Sequence, residues 1–180
     1  MLGDQAMKIQ FVNHSSVLVK SKFNILCDPW YCGTSFADGW RLLYDDRVDI
    51  NALEYDKIWL SHEHPDHFSI PTLKQISGQR SFIYQETIDQ KVKRYLEAKG
   101  HAVTEMRDNH TMTIDGLELT TIVTEGYDSC LLVNDNERKF LNINDSQLDR
   151  LDELKKNSLP RASRSHRNSI SLCKLGRKSR

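Results

Sequence analysis

The 180-residue sequence predicts a mixed α/β domain built from layers of sheet and helix. Two observations support this fold class. Apolar runs of four to seven residues, a length typical of strands, recur along the chain, with only a few segments of helical spacing between them. A hairpin-type turn, Asp135-Asn136, joins two of the runs. No internal repeat is visible.

Eight runs are predicted to be strands: 8–13, 16–20, 23–27, 57–60, 81–84, 117–123, 130–133 and 140–143. Asp28-Pro29 ends the third strand, because proline cannot donate a hydrogen bond to a strand ladder. Residues 31–55 contain two glycines among many polar groups, which predicts an irregular insertion or lid.

Two short helices are expected between the strands. Ser69 favours the start of a helix that ends near residue 76. Thr87 and Gln90 have the spacing of a capping box, and apolar residues follow at helical spacing until Gly100 ends the second helix.

The composition changes abruptly at about residue 157. A third helix is expected to begin near Ser146, but beyond it the segment 158–180 has seven Lys/Arg and no Asp/Glu. The chain is neutral overall, so 1–157 carries 18 basic against 25 acidic residues, a charge of −7. We predict one folded domain in 1–157 and a disordered, basic, Ser/Arg-rich tail in 158–180. The abrupt change favours a truncated or frameshifted coding sequence over a designed tail.

Composition also excludes several classes of protein. No apolar run reaches the roughly 18 residues of a membrane span, and no signal peptide is visible. The four cysteines form no CxxC pair, which indicates a reducing, cytoplasmic compartment. The basic tail has no aromatic residues for base stacking, so a nucleic-acid partner is not favoured. The sequence does not define the oligomeric state.

The segment 61–67, Ser-His-Glu-His-Pro-Asp-His, carries the chemistry. Its imidazoles and carboxylate follow an apolar strand and suit zinc, manganese or iron. Alternate positions of an extended or turning backbone face the same side, so His62 and His64 can bind one ion while Asp66 and His67 reach a neighbouring ion. Pro65 argues against a helix. The alternative is a polar loop whose histidines form local hydrogen bonds.

This pattern resembles the H-x-H-x-D-H signature of the metallo-β-lactamase superfamily. Asp28, in Ile-Leu-Cys-Asp-Pro-Trp, matches the first aspartate of the superfamily, and Asp145 matches the later aspartate that bridges two metals. The segment 13–16, Asn-His-Ser-Ser, is similar to one branch. That branch includes ascorbate-6-phosphate lactonase, the N-acyl-phosphatidylethanolamine phospholipase D type and the metal-binding part of CMP-N-acetylneuraminate hydroxylase. The similarity covers about residues 7–157.

The resemblance implies an αββα sandwich, of which the chain holds the first half and the start of the second. It implies two metal ions, expected to be Zn²⁺, with Mn²⁺ or Fe²⁺ as alternatives. It also implies that the metals activate a water molecule that attacks an ester, lactone or phosphodiester, with Asp66 as the catalytic residue that orients the water. Asp28 is expected to orient a ligand from behind. The implied metal ligands are His62, His64, Asp66, His67 and Asp145.

Two histidines of the superfamily pattern are missing. After the strand 117–123, Glu125 or Asp128 could supply an oxygen instead of the third-motif histidine. The last-motif histidine has His166 as its only candidate, and no strand precedes it. His14 is a candidate substitute ligand, a substrate contact or a structural histidine. Two alternatives to a hydrolase stay open: a non-catalytic remnant, and an oxidoreductase component related to CMP-sialic-acid hydroxylase that needs a separate electron donor.

Overall fold

A computed structural model describes residues 6–43, 48–124 and 127–146, together with the backbone of 170–173. Within these ranges, thirteen strands form two main sheets and one small hairpin, and two short α-helices pack on the first sheet. The mixed α/β class is confirmed, and all eight predicted strands are present with ends within two residues of the prediction. In this part of the chain no helix has the length and apolar character needed to cross a bilayer.

The first sheet has six strands, antiparallel on one side and parallel on the other. The carboxyl ends of its parallel strands meet at one edge, the usual place for a binding site. In spatial order the strands are β1 (Lys8–Asn13), β2 (Ser16–Lys20), β3 (Ile25–Cys27), β6 (Lys57–Leu60), β7 (Ser81–Gln85) and β8 (Ala102–Met106). The predicted insertion contains a hairpin of β4 (Thr34–Ser35) with β5 (Trp40–Arg41), followed by a 3₁₀ turn at Ile50–Ala52.

The second sheet is antiparallel except at its last strand. Its order is β9 (His110–Ile114), β10 (Leu117–Val123), β11 (Ser129–Asn134), β12 (Lys139–Asn142) and β13 (Ile170–Cys173), with β13 parallel to β12. The hairpin at Asp135-Asn136 is confirmed. Strand β13 lies in the segment predicted to be disordered, and the structure differs there because pairing with β12 satisfies the main chain of these four residues.

Two layers of apolar side chains hold the fold together. Between the sheets lies a cluster that includes Val17, Cys27, Trp59 and Ile83 from the first sheet and Leu119, Leu131 and Phe140 from the second. A second cluster packs the other face of the first sheet against α1 (Ile70–Leu73) and α2 (Lys91–Ala98). Burial of each large apolar side chain contributes about 1.5–3 kcal/mol, so the sheet edge above this core is firmly supported.

The helices differ in detail from the prediction. The first ends at Leu73, three residues before the predicted end. The second begins at Lys91, and the predicted capping box is wrong. Its N-cap is Gln90, in a left-handed conformation without a side-chain cap, while Asp89 Oδ1 accepts the hydrogen bond of the Lys91 N–H. The helix predicted to begin near Ser146 lies outside the described residues.

Candidate metal centre

The predicted site residues meet at one edge of both sheets. Asp28 follows β3, the histidine-rich segment 62–67 follows β6, and Asp145 follows β12. His14 joins them from the turn between β1 and β2. Side chains from strand ends that are more than a hundred residues apart in the sequence therefore meet in one small volume.

The most buried part of the site is the pair Asp28 and His67. The Asp28 carboxylate has no exposed surface, accepts the Ser61 N–H at 2.8 Å, and accepts a hydrogen bond from Asn144 Nδ2. One of its oxygens lies 3.2 Å from His67 Nδ1. A carboxylate on Nδ1 fixes the proton there and leaves the Nε2 lone pair free to bind a metal.

The Nε2 atom of His67 faces two further carboxylates, with Asp66 Oδ2 at 3.5 Å and Asp145 Oδ2 at 3.7 Å. Burial disfavours the charged form of His67, but contacts with Asp145 and Asp28 outweigh burial and raise the pKa of His67 to about 10. Buried polar atoms normally have a hydrogen-bond partner. Here neither His67 Nε2 nor Asp66 Oδ1 makes a hydrogen bond of good geometry, and a divalent cation would satisfy the Nε2 atom.

His62 and His64 form the other side of the site. His62 Nε2 lies 2.7 Å from His64 Nδ1, and the centroids of the His62 and His67 rings are 4.3 Å apart. His62 is buried, whereas His64 is exposed to solvent. Two imidazole nitrogens this close can share a proton or bind one cation.

The sequence predicts that Asp128 could replace the missing third-motif histidine, whereas in the structure Asp128 contacts His62. Its Oδ1 lies 3.2 Å from Nδ1 of His62 and accepts the Ser129 N–H at 2.8 Å. The carboxylate therefore lies on the side of the ring away from His64 Nδ1. There it orients His62 together with Ser61 Oγ, which is 2.9 Å from the same Nδ1. Glu125, the other predicted substitute, and His166 lie outside the described residues.

His14 contacts the site directly. Its Nε2 atom lies 3.2 Å from Asp66 Oδ2, and its ring makes an edge contact with Trp30 at a centroid distance of 4.8 Å. Burial would raise the pKa of Asp66, but the hydrogen bond to His14 and the charge of His67 hold that pKa below its usual value. Asp66 is therefore ionised, as a metal ligand must be.

Two sets of three ligand atoms lie within 4.8 Å of one another: His14, Asp66 and His67, and His62, His67 and Asp145. Each set combines two imidazoles with one carboxylate, donors that suit zinc, manganese and iron. The residues present therefore fit a metal centre of one or two ions. His67 appears in both sets through the same Nε2 atom, which can bind one ion only.

Sequence reasoning missed the residues that hold the metal-binding loop in place. The carbonyl oxygen of Ser61 accepts hydrogen bonds from Ser129 Oγ at 2.7 Å and from Gln85 Nε2 at 3.2 Å. Asn144 supports Asp28 from the second sheet. The sequence does offer one signal for these residues, because Gln85 and Ser129 are polar residues at the ends of apolar runs.

Three residues of the site have a left-handed backbone conformation, with φ of 48° at His14, 41° at Asp28 and 57° at Asn144. Residues other than glycine adopt this conformation at a cost, and such residues cluster at functional sites. Each of these three presents a side chain that glycine could not supply.

Comparison with known proteins places the chain in a family. A family model described as a β-lactamase superfamily domain matches residues 8–141. The chain belongs to this superfamily. The predicted resemblance is thereby confirmed, and the two facing sheets agree with the sandwich expected of its members.

One relative of this chain is cytidine monophosphate-N-acetylneuraminic acid hydroxylase of Danio rerio, which is 30% identical over 152 residues. The match covers 74% of this chain and 25% of the relative. The inactive human hydroxylase is 30% identical over 151 residues, 77% of the chain and 30% of the relative. The chain thus spans between a quarter and a third of the length of these relatives.

Two solved structures show the same fold. The diiron β-hydroxylase CmlA from Streptomyces venezuelae has a TM-score of 0.59 at 18% identity, covering 76% of this chain and 29% of CmlA. Isothiocyanate hydrolase from Delia radicum gut bacteria has a TM-score of 0.58 at 13% identity, covering 74% of this chain and 60% of the hydrolase. At these identities the similarity concerns the fold alone.

Proposed function

We propose that this chain is a metal-dependent hydrolase that acts on an ester, lactone or phosphodiester of a small molecule. The observation that carries the proposal is the pair of buried atoms His67 Nε2 and Asp66 Oδ1, which lack hydrogen bonds at the point where both ligand sets meet. Polar atoms buried without a partner are costly unless a ligand uses them.

The proposed ligand arrangement follows the contacts of the site. His62 and His64 would hold one ion through Nε2 and Nδ1, which are 2.7 Å apart, and Asp66 and His67 would hold the second. Asp145 would be a further ligand, and its Oδ2 lies 3.7 Å from His67 Nε2. When bound, such ions supply a Lewis acid and a water molecule of lowered pKa. Zn²⁺ is the proposed metal, and Mn²⁺ or Fe²⁺ suits the same donors.

The protein residues would then orient the reactants. Asp28 and Asp128 keep the protons of His67 and His62 on Nδ1, so that Nε2 of each ring points into the site. Asp66 would use Oδ2 as a ligand, which leaves Oδ1 to orient the attacking water and accept its proton.

The surroundings support a small substrate. Phe36 and Trp40 are exposed aromatic residues with ring centroids 4.9 Å apart, and the Phe36 ring lies 5.9 Å from His64. They form one wall of the approach to the metal centre and offer an apolar surface to a substrate ring.

The cysteines among the described residues, Cys27, Cys32 and Cys130, are free thiols, which supports a cytoplasmic location.

The test is metal analysis of the full chain combined with hydrolysis of bis-p-nitrophenyl phosphate. We expect up to two metal equivalents in the wild type, and at least about 100-fold lower activity in His62→Ala and Asp145→Ala. His110→Ala, an exposed histidine of β9, is the matched control and should keep full activity. Equal activity in wild type and ligand variants would refute the proposal, and a wild type without metal would support the non-catalytic remnant.

A second candidate is the metal-binding part of a hydroxylase. The curated relatives include cytidine monophosphate-N-acetylneuraminic acid hydroxylases, and one similar structure is a diiron β-hydroxylase. Two imidazoles and a carboxylate are also typical donors for non-haem iron. Incubation of the iron-loaded chain with CMP-N-acetylneuraminate, O₂ and a chemical reductant, followed by mass spectrometry, tests this candidate. The addition of one oxygen atom would support it, and an unchanged substrate would count against it.

A further inference from the structure

The imidazole of His14 has no role in the ligand arrangement given under Proposed function, although it reaches the centre of the site. Its Nε2 atom lies 3.2 Å from Asp66 Oδ2, and His67 Nε2 lies 3.5 Å from the same oxygen. The edge contact with Trp30 orients the ring, and the left-handed backbone at residue 14 directs the side chain inward from the turn between β1 and β2.

These separations match those between ligands of a single metal ion. Two ligand atoms, each about 2.0–2.1 Å from zinc at a tetrahedral angle, lie about 3.4 Å apart. The two contacts of Asp66 Oδ2 fall on either side of this value. All three donor atoms lie within 4.8 Å of one another.

Hydrogen bonding alone explains the arrangement less well. Both nitrogens converge on Oδ2 of Asp66, while Oδ1 of the same carboxylate is buried without a partner. Two donors that served only to satisfy the carboxylate would be better divided between its two oxygens. Convergence on one oxygen is the geometry of donors that share a cation.

We propose that Nε2 of His14 is the third protein ligand of the ion held by Asp66 and His67. This inference depends on the proposed metal centre and adds a ligand to it. The other described histidines are unsuited, since His101 contacts Arg80 at the opposite end of the first sheet and His110 is exposed on β9.

The first test uses the metal-free full chain titrated with Co²⁺, followed by calorimetry. His14→Gln keeps an amide that can donate to Asp66 but is a poor metal ligand. We expect it to weaken one of two Co²⁺ equivalents by about 100-fold or more, beyond the loss typical of an outer contact. His110→Gln is the matched control and should bind as the wild type does. Unchanged binding of both equivalents by His14→Gln would overturn the proposal.

The second test gives a positive signal. In His14→Cys, a thiolate that reaches the ion would produce a thiolate-to-cobalt charge-transfer band in the near ultraviolet, absent from the wild type and from His110→Cys. Circular dichroism checks that each variant is folded. The band in His14→Cys would support the proposal, and the result that overturns it is the unchanged binding of both equivalents by His14→Gln.

The outcomes separate this inference from the proposed function. If the wild type binds no Co²⁺, the metal centre itself is wrong. If the wild type binds two equivalents and hydrolyses the phosphodiester while His14→Gln binds two as well, the hydrolase stands and only the role of His14 falls.

Discussion

On each side of the metal centre an aspartate contacts Nδ1 of a histidine, but the two aspartates are held in place by different numbers of hydrogen bonds. Asp28 contacts Nδ1 of His67 and Asp128 contacts Nδ1 of His62, each at 3.2 Å. The Asp28 side chain is fully buried and receives hydrogen bonds from Ser61 of the first sheet and Asn144 of the second. The Asp128 side chain is 12% exposed, and its oxygen is held by the neighbouring Ser129 N–H.

The more deeply buried aspartate therefore makes more hydrogen bonds and holds its histidine more firmly. His67 is fixed by a carboxylate anchored in both sheets, whereas His62 is oriented from a loop, and its partner His64 is exposed. We therefore expect the ion on the His67 side to bind more tightly than the ion on the His62 side.

The largest effect is expected from His67→Ala, because its Nε2 faces both Asp66 Oδ2 and Asp145 Oδ2. Loss of this imidazole should lower the affinity for the ion beside Asp66 by more than about 100-fold. Plasma mass spectrometry after dialysis measures the metal content, with His101→Ala as a histidine control outside the site. Retention of both equivalents in His67→Ala would contradict a ligand role for His67.

The comparison is tested most directly by Asp28→Asn and Asp128→Asn. An amide can stabilise the wrong tautomer of the histidine, so both changes should weaken metal binding. We expect about 100-fold for Asp28→Asn and about 10-fold for Asp128→Asn, the two ends of the range for such contacts. Calorimetric titration with Co²⁺ provides the affinities, and equal losses would contradict the proposed difference in support.

Stability of the metal-free chain should depend on pH through His67. The pKa of His67 is about 10 in the fold and about 6.5 in an unfolded chain. The raised pKa stabilises the fold fully below about pH 6.5, and this contribution is lost as the pH rises towards 10. Urea unfolding in EDTA should show the loss in the wild type and not in His67→Gln. Bound metal should reverse the trend, because protons compete with metal for the ligands.

The smallest effect is expected from Ser129→Ala. This change removes one of two hydrogen bonds to the Ser61 carbonyl and should cost about 1 kcal/mol of unfolding free energy. Ser77→Ala, which removes an exposed hydrogen bond to Asn51, is the control and should cost less. Urea denaturation measures both, and a larger loss in Ser77→Ala would argue against a supporting role for Ser129.

Much of the fold could be predicted because its signals are local. The apolar runs of the core strands and the spacing of residues 62–67 are properties of short segments. Strands β8 and β9 were missed because their residues are largely polar or partly exposed, and pairing with β7 and β10 determines their structure.

The finer organisation of the site could not be predicted for the same reason. Asp128 contacts His62 across 66 positions and His14 contacts Asp66 across 52, and only the packed sheets define such pairs. The sequence indicated which residues carry the chemistry, while tertiary structure decides which nitrogen of each imidazole faces inward.

The left-handed backbones at His14, Asp28 and Asn144 have a consequence for folding. Each left-handed residue costs about 1 kcal/mol relative to an ordinary conformation. All three lie beside the buried atoms of Asp66 and His67 that lack hydrogen bonds. Loading with an ion would offset this concentrated strain. Newly made chains should therefore mature fastest where the ion is plentiful, and chelation should expose this rim to proteases before the sheets separate.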